Sequence, residues 1–241
     1  MSHVIFVTAI SSEVGLQYLE QYHGCYERII GQYRSITPEL QMWKERLGDK
    51  LILLRVDLEK AEAIDEMIKE MEKRNLFPDT FLHLPALKYE LIKFHKISRE
   101  RLTAQLRVQV ESAFYILQAL LPKMAKKKYG RIAFVLSSAV GETAPKYLSD
   151  YVVAKYGLLG LMKALSAEYA DKGITFNSVS PGMMETKLLS NTPEVVLEKN
   201  AAENPLGRNI RISDILPVIY YFLSEETEQI TGQNIRITGG R

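Results

Sequence analysis

Residues 3–22 read HVIFVTAISSEVGLQYLEQY, and this stretch decides how the rest of the chain is to be folded. HVIFVT is short, apolar and β-branched, the pattern of a strand buried on both faces. EVGLQYLEQY repeats its apolar positions at helical spacing. Between them, residues 8–15 (TAISSEVG) have the shape of a turn that hands a phosphate to a helix N-terminus. The turn holds one glycine, Gly15, and Glu13 stands close to where a pyrophosphate would lie.

Outward from this unit the same alternation recurs. RIIGQY (28–33) is a second strand, and TPELQMWKERLG a helix with Thr37 as N-cap and Pro38 at its first position. KLILLRV is a third strand, EKAEAIDEMIKEMEKR an amphipathic helix, and DTFLHL a fourth strand. A long helix over SRERLTAQLRVQVESAFYILQALLPKM precedes the strand GRIAFVLS, and SDYVVAKYGLLGLMKALSAEYADK precedes ITFNSVS. SDILPVIYYFLSEE, capped near Ser213, leads to a last strand, NIRIT. Strands that are apolar throughout, alternating with helices, predict an α/β chain: a Rossmann-like, doubly wound parallel sheet of about seven strands with helices on both faces. Residues 1–241 are expected to form a single domain, with ligands bound beyond the carboxyl ends of the strands. The least regular stretch, roughly 183–211, contains Pro193 and Pro205 and is expected to sit over that crevice as a lid.

Composition narrows the partners. The chain is 46% hydrophobic and 25% charged with a net charge of +2, too balanced for a nucleic-acid or anionic-membrane binder. The one dense basic spot, Lys126 to Lys128, reads as a solvated helix end, the other reading being a contact for an acidic carrier protein. A single cysteine, Cys25, permits no intramolecular disulfide and suits a reducing compartment. The four histidines have no ligand spacing, so no metal site is expected. No basic-then-apolar leader or membrane-length apolar run is present, and a cytoplasmic location is expected.

The chemistry concentrates in SSAVGETAPKYLSDYVVAKYG. Tyr151 and Lys155 are four residues apart in a helical segment and so share a face. A phenol has a reference pKa of about 10, and a neighbouring ammonium brings it toward the working range of an acid–base catalyst. Ser138, at a strand's carboxyl end, is placed to hydrogen-bond a carbonyl that Tyr151 protonates. Tyr89 and Lys93 repeat the spacing in YELIK, but without an upstream serine or a following long helix, and read as a surface coincidence.

With these residues in place, the chain resembles the short-chain dehydrogenases/reductases along essentially its whole length. GRIAFVLSSAVG is similar to the family's serine strand, with Ser138 thirteen residues before Tyr151, and NSVSPGMMET is similar to the stretch after its sixth strand. PLGR (205–208) and ITGQNIRITGG resemble the branch of 3-oxoacyl-(acyl-carrier-protein) reductases, enzymes of fatty acid biosynthesis. The resemblance implies hydride transfer between a nicotinamide and a carbonyl or alcohol carbon. Tyr151 would be the general acid or base; Lys155 would lower its pKa and bind the nicotinamide ribose, and Ser138 would orient the carbonyl. Gln109 would stand where the family has an asparagine that assists a water relay to the lysine. Thr8, Ser11, Ser12 and Gly15 would belong to the phosphate loop, and Pro181, Gly182 and Thr186 would meet the nicotinamide.

Three stations depart from the family pattern. Ala9 and Glu13 replace the first two glycines of the opening loop; His83, Leu84, Pro85 and Ala86 replace an Asn-Asn-Ala-Gly run; and Gln109 replaces the asparagine. His83 reads as a hydrogen-bonded structural residue. Arg34, just after the second strand, would favour a 2′-phosphate, so NADP(H) is the preferred cofactor and NAD(H) the alternative; a solvent-facing arginine is the other reading. Asp57 either contacts the adenine or caps the next helix. The expected function is an NADP(H)-dependent reductase acting on a small-molecule or carrier-linked ketone, assembled as a homotetramer or homodimer. A secondary-metabolite or sugar ketoreductase is one alternative. A catalytically impaired nucleotide-binding subunit partnered with an intact homologue is the other.

Overall fold

The computed structural model describes residues 3–141 and 144–240. Seven parallel strands form one sheet: β1 (Val4–Thr8), β2 (Arg28–Tyr33), β3 (Leu51–Arg55), β4 (Thr80–His83), β5 (Gly130–Val135), β6 (Ile174–Pro181) and β7 (Asn234–Ile237). Their order is β3-β2-β1-β4-β5-β6-β7, so the winding reverses between β1 and β4. At such a switch point the flanking connections leave toward opposite faces and open a crevice at the strands' carboxyl ends.

Side-chain alternation along each strand builds two cores. Phe6, Phe81, Phe134 and Phe176 face one side, under the helices α3 (Ala61–Lys73), α5 (Ser112–Lys127) and α6 (Ser149–Glu168). Ile5, Val7, Leu82, Ala133 and Val135 face the other, under α1 (Glu13–Tyr22), α2 (Pro38–Leu47) and α8 (Ile212–Leu223). Capping follows the sequence at α2, where the Thr37 hydroxyl accepts from Leu40 N at 3.2 Å. At α8 the cap is Arg211 and not Ser213: its amide donates to Asp214, which also binds the Arg208 guanidinium at 2.6 Å.

The long helix before β5 is a composite: α4 (Arg99–Leu106) runs into one π-helical turn at Arg107–Glu111 before α5. The segment 183–211 is more ordered than its composition suggests, containing a 3₁₀ turn at Lys187–Leu189 and helix α7 (Glu194–Glu203). Helix α7 buries none of its residues, which is why no apolar period marked it. Residues 84–93, by contrast, form an extended strap with no regular structure.

Candidate active site

A cleft of about 550 Å³ lies at the carboxyl ends of the strands. It runs from Arg34, Ser35 and Asp57 beyond β2 and β3, past Ser11 and Ser12, to Tyr151, Lys155, Pro181, Gly182 and Thr186. Elements far apart in sequence thus bring most of the predicted residues to one surface. Four lie off it: Thr8, Gly15, Gln109 and Ser138 are absent from the lining.

The opening loop shows what its altered sequence costs. Ala9 adopts φ 51°, the left-handed region in which a Cβ is strained by about 1 kcal/mol. Two bonds fix it there: Ala9 N donates to Gln32 Oε1 at 2.8 Å, and Ser12 N to Ala9 O at 2.9 Å. Gln32 is buried and its amide also donates to Val56 O at 2.7 Å, bracing the loop against the end of β3. Ser12 caps α1 by accepting from Gly15 N at 3.1 Å, which leaves its hydroxyl proton for a ligand. Gly15 is a packing residue: a Cβ there would lie 2.5 Å from the Ile10 carbonyl oxygen. Glu13 points into the cleft and does not face away from it; its carboxylate accepts from Lys187 N, 2.5 Å away. It therefore ties the start of α1 to segment 183–211.

At the opposite end, Tyr151 and Lys155 are both buried on α6, with the Lys155 Nζ 5.6 Å from the Tyr151 ring centre. Lys155 donates to Val135 O at 2.8 Å, and burial pushes its ammonium down to about 7. The expected depression of the Tyr151 phenol is not seen in this state. Burial raises it, and interactions with the hydroxyls of Tyr89 and Ser137 oppose the rise. The lysine is drawn to the Val135 carbonyl and is only half-protonated near pH 7, and the burial of the Tyr151 phenol is opposed by Tyr89 and Ser137 alone.

The serine facing Tyr151 is Ser137 rather than the expected Ser138. Pairing with β6 continues past β5, with Leu136 N donating to Val179 O and Ser138 N to Pro181 O, both at 2.8 Å. Adjacent residues on an extended segment point to opposite sides, so only one of the two serines can reach the cleft. The thirteen-residue interval favoured the wrong neighbour. Tyr89, read as a surface coincidence, also lines the cleft, its ring edge-on to Tyr151 at 4.7 Å. Its four-residue spacing to Lys93 was the one signal in the sequence, and without a helical period around it in the strap that spacing reads as coincidence.

Gln109 and Lys155 do not reach for one another. Gln109 Nε2 donates to Gln105 Oε1 at 2.6 Å, its Oε1 is buried without a partner, and its backbone carbonyl accepts from His83 Nε2 at 2.8 Å. The π turn at 107–111 frees that carbonyl from the usual helical ladder. His83 bonds Thr8 Oγ1 at 3.0 Å through Nδ1, and burial pushes its pKa down to about 3, so it is a neutral, doubly bonded brace. Asp57 lines the cleft and accepts from Glu59 N at 3.2 Å, a local turn bond; the cap position of α3 is Lys60, so Asp57 does not cap that helix.

These residues fit a dinucleotide. A helix N-terminus with free hydroxyls lies mid-cleft, a guanidinium lies at one end and a lysine–tyrosine pair at the other. Among the described residues no His/Cys/Asp/Glu group could hold a metal ion, and no helix is long and apolar enough to cross a membrane.

Comparison with known proteins agrees with this geometry. The family described as enoyl-(acyl carrier protein) reductase matches residues 27–241, a span that begins after the opening loop. A 3-oxoacyl-(acyl-carrier-protein) reductase FabG of Buchnera aphidicola subsp. Schizaphis graminum (strain Sg) is 29% identical over 77% of this chain and 75% of its own. The acetoacetyl-CoA reductase of Shinella zoogloeoides is 28% identical over 100% of this chain and 99% of its own. A solved 4-hydroxyisoleucine dehydrogenase complexed with NADH superposes with a TM-score of 0.89 at 21% identity, covering 99% of this chain and 98% of that one. The chain is an oxidoreductase of the short-chain dehydrogenase/reductase family, whose members bind NAD(P)(H) and act on CH–OH and C=O groups.

Proposed function

We propose that the protein reduces a ketone to a secondary alcohol with NADPH, and that 3-oxoacyl thioesters are its best-matched substrates. The observation that carries this reading is the buried Tyr151–Lys155 pair meeting Ser137 at one end of a cleft whose other end holds Arg34. When bound, the nicotinamide supplies the hydride. The chain's own residues do the rest. Tyr151 donates its hydroxyl proton to the carbonyl oxygen in reduction and takes it back in oxidation. Ser137, in the role expected of Ser138, donates a hydrogen bond that orients the carbonyl. Lys155 binds the ribose hydroxyls and, once protonated, stabilises the Tyr151 phenolate. Ser11, Ser12 and the α1 N-terminus hold the pyrophosphate, with Gly15 keeping that helix close to the loop. Pro181, Gly182 and Thr186 border the nicotinamide, and segment 183–211 acts as its lid. Thr8, Gln109 and His83 position the site through Leu82, Gln105 and one another, without touching a ligand.

The substrate end is apolar, with Leu84, Leu87, Val108, Met183, Met184 and Leu188 along it, which suits an acyl chain better than a sugar. NADPH is favoured over NADH because Arg34 is exposed at the cleft mouth, with the Arg55 side chain against its backbone (3.4 Å). Exposed Phe114 on α5 and Val153 and Tyr156 on α6 suit a dimer or tetramer built on those helices, with the protein working in the cytoplasm. A second reading, an impaired subunit serving an intact partner, draws on the strained Ala9 and on Glu13 in the phosphate loop.

Fluorescence titration with NADPH and NADH tests the proposal. NADPH should bind more tightly, and Arg34→Glu should reverse or abolish the preference. Failure of either nucleotide to bind at millimolar concentration would favour the impaired subunit.

A further inference from the structure

Tyr89 is the half-buried cleft residue that neither the motif nor the family accounts for. It lines the cleft beside Tyr151 and Ser137, its ring edge-on to the Tyr151 ring with 76° between planes, and its phenol is coupled electrostatically to that of Tyr151. Its position is also held on every side. Tyr89 N donates to Leu188 O of segment 183–211 at 3.2 Å, and Ile92 N to Tyr147 O at 2.9 Å. Arg101 grips both neighbours, reaching Lys88 O at 3.4 Å and the Glu90 carboxylate at 3.0 Å. The same guanidinium is anchored on buried Asp150, next to Tyr151, at 2.8 Å. A residue tied through four contacts to the lid, to α4 and to α6 is placed there by the fold.

A carbonyl about to be protonated by Tyr151 and oriented by Ser137 must put its oxygen between those two hydroxyls. The Tyr89 side chain stands at that end of the cleft, its ring 4.7 Å from the Tyr151 ring. We infer that Tyr89 is a specificity-determining residue that fills the carbonyl oxygen's seat, so that a substrate enters by replacing the Tyr89 hydroxyl with its own oxygen. This rests on the reductase reading for the seat's purpose. The filled seat favours ketones whose oxygen is a strong acceptor and whose acyl arm lies along the apolar wall. It disfavours weak carbonyls and water, which gain too little to displace an internal hydroxyl.

The test uses isobutyramide, an unreactive amide whose carbonyl accepts hydrogen bonds but takes no hydride. Its affinity is measured by calorimetry for the wild-type protein and for Tyr89→Phe and Tyr89→Ala, each with and without NADPH. Tyr89 is half-buried in a strap outside the core, so both variants should fold. Tyr89→Ala should bind the amide about tenfold more tightly and Tyr89→Phe about threefold. With a 3-oxoacyl thioester, KM should fall by similar factors while kcat stays within about twofold. Equal or weaker amide binding in both variants, or no binding in any of the three proteins, would overturn the inference. So would a loss of kcat in Tyr89→Phe, which would mark a proton-transfer role instead. Failure of NADPH to bind would sink the reductase reading alone, since the amide comparison without nucleotide still decides the role of Tyr89.

Discussion

Replacing Gly15 with alanine puts the opening loop under a load that can be worked out. A Cβ at this position would lie 2.5 Å from the Ile10 carbonyl oxygen and 2.8 Å from both Ile10 C and Cα. The first is about 0.9 Å short of an ordinary 3.4 Å contact, and all three obstacles are backbone. No rotamer can relieve them; the loop must move away from α1 or the helix must slide. Ile10 is itself fully buried, and its amide donates to Gln32 O at 3.0 Å, so neither side yields cheaply. Overpacking typically costs 1–3 kcal/mol, and obstruction by backbone places this case near the upper end, about 3 kcal/mol. For a chain of this size that is a fall in Tm of about 6–12 °C. Because Ser11 and Ser12 follow Ile10 directly, the same shift should also weaken NADPH binding. Thermal unfolding followed by circular dichroism, together with nucleotide titration, reads both effects. A variant melting within about 2 °C of the wild type, with unchanged affinity, would refute the close-approach argument.

Other outcomes follow from the same geometry. Ala9→Gly should stabilise the fold by about 0.5–1 kcal/mol in urea unfolding, because relief of the left-handed Cβ outweighs the added chain entropy; a loss of stability would show the strain to be absent. Lys155→Met should abolish turnover yet raise stability by about 1–2 kcal/mol near pH 6. Burial lowers the folded-state pKa to about 7, so its destabilising effect is full below that value and fades as pH rises toward 10.5; a gain that grows with pH would contradict this. His83, held near 3 when folded and near 6.5 when unfolded, should make stability fall with acidification across that window by about 1.4 kcal/mol per pH unit. His83→Gln should remove that slope, and an unchanged slope would place the titration elsewhere.

Much of this architecture was legible because strand and helix periods leave separate marks. β2 occupies the residues read as RIIGQY, and α1 those read as EVGLQYLEQY. The doubly wound sheet followed from strands that are apolar on both faces. Helix α7 escaped notice because it buries nothing, and the π turn at 107–111 because its sequence is that of any helix. In the site, Tyr151 and Lys155, marked by their helical spacing, and Ser11, Ser12, Arg34, Asp57, Pro181, Gly182 and Thr186, marked by the family resemblance, all reach the cleft. The choice between Ser137 and Ser138 was beyond interval counting, since it depends on where β5 stops alternating against β6. Tyr89 was illegible for another reason: its place is set by Arg101, Leu188 and Tyr147, contacts that no local pattern encodes.

We propose that Tyr151, and not the equally spaced Tyr89, delivers the proton. The most direct measurement is NADPH oxidation, followed by absorbance, with a short 3-oxoacyl thioester and the wild-type, Tyr151→Phe and Tyr89→Phe proteins side by side. The wild type should turn over, Tyr151→Phe should lose at least about a hundredfold, and Tyr89→Phe should retain activity. Equal turnover by the two variants, or loss only in Tyr89→Phe, would contradict the proposal.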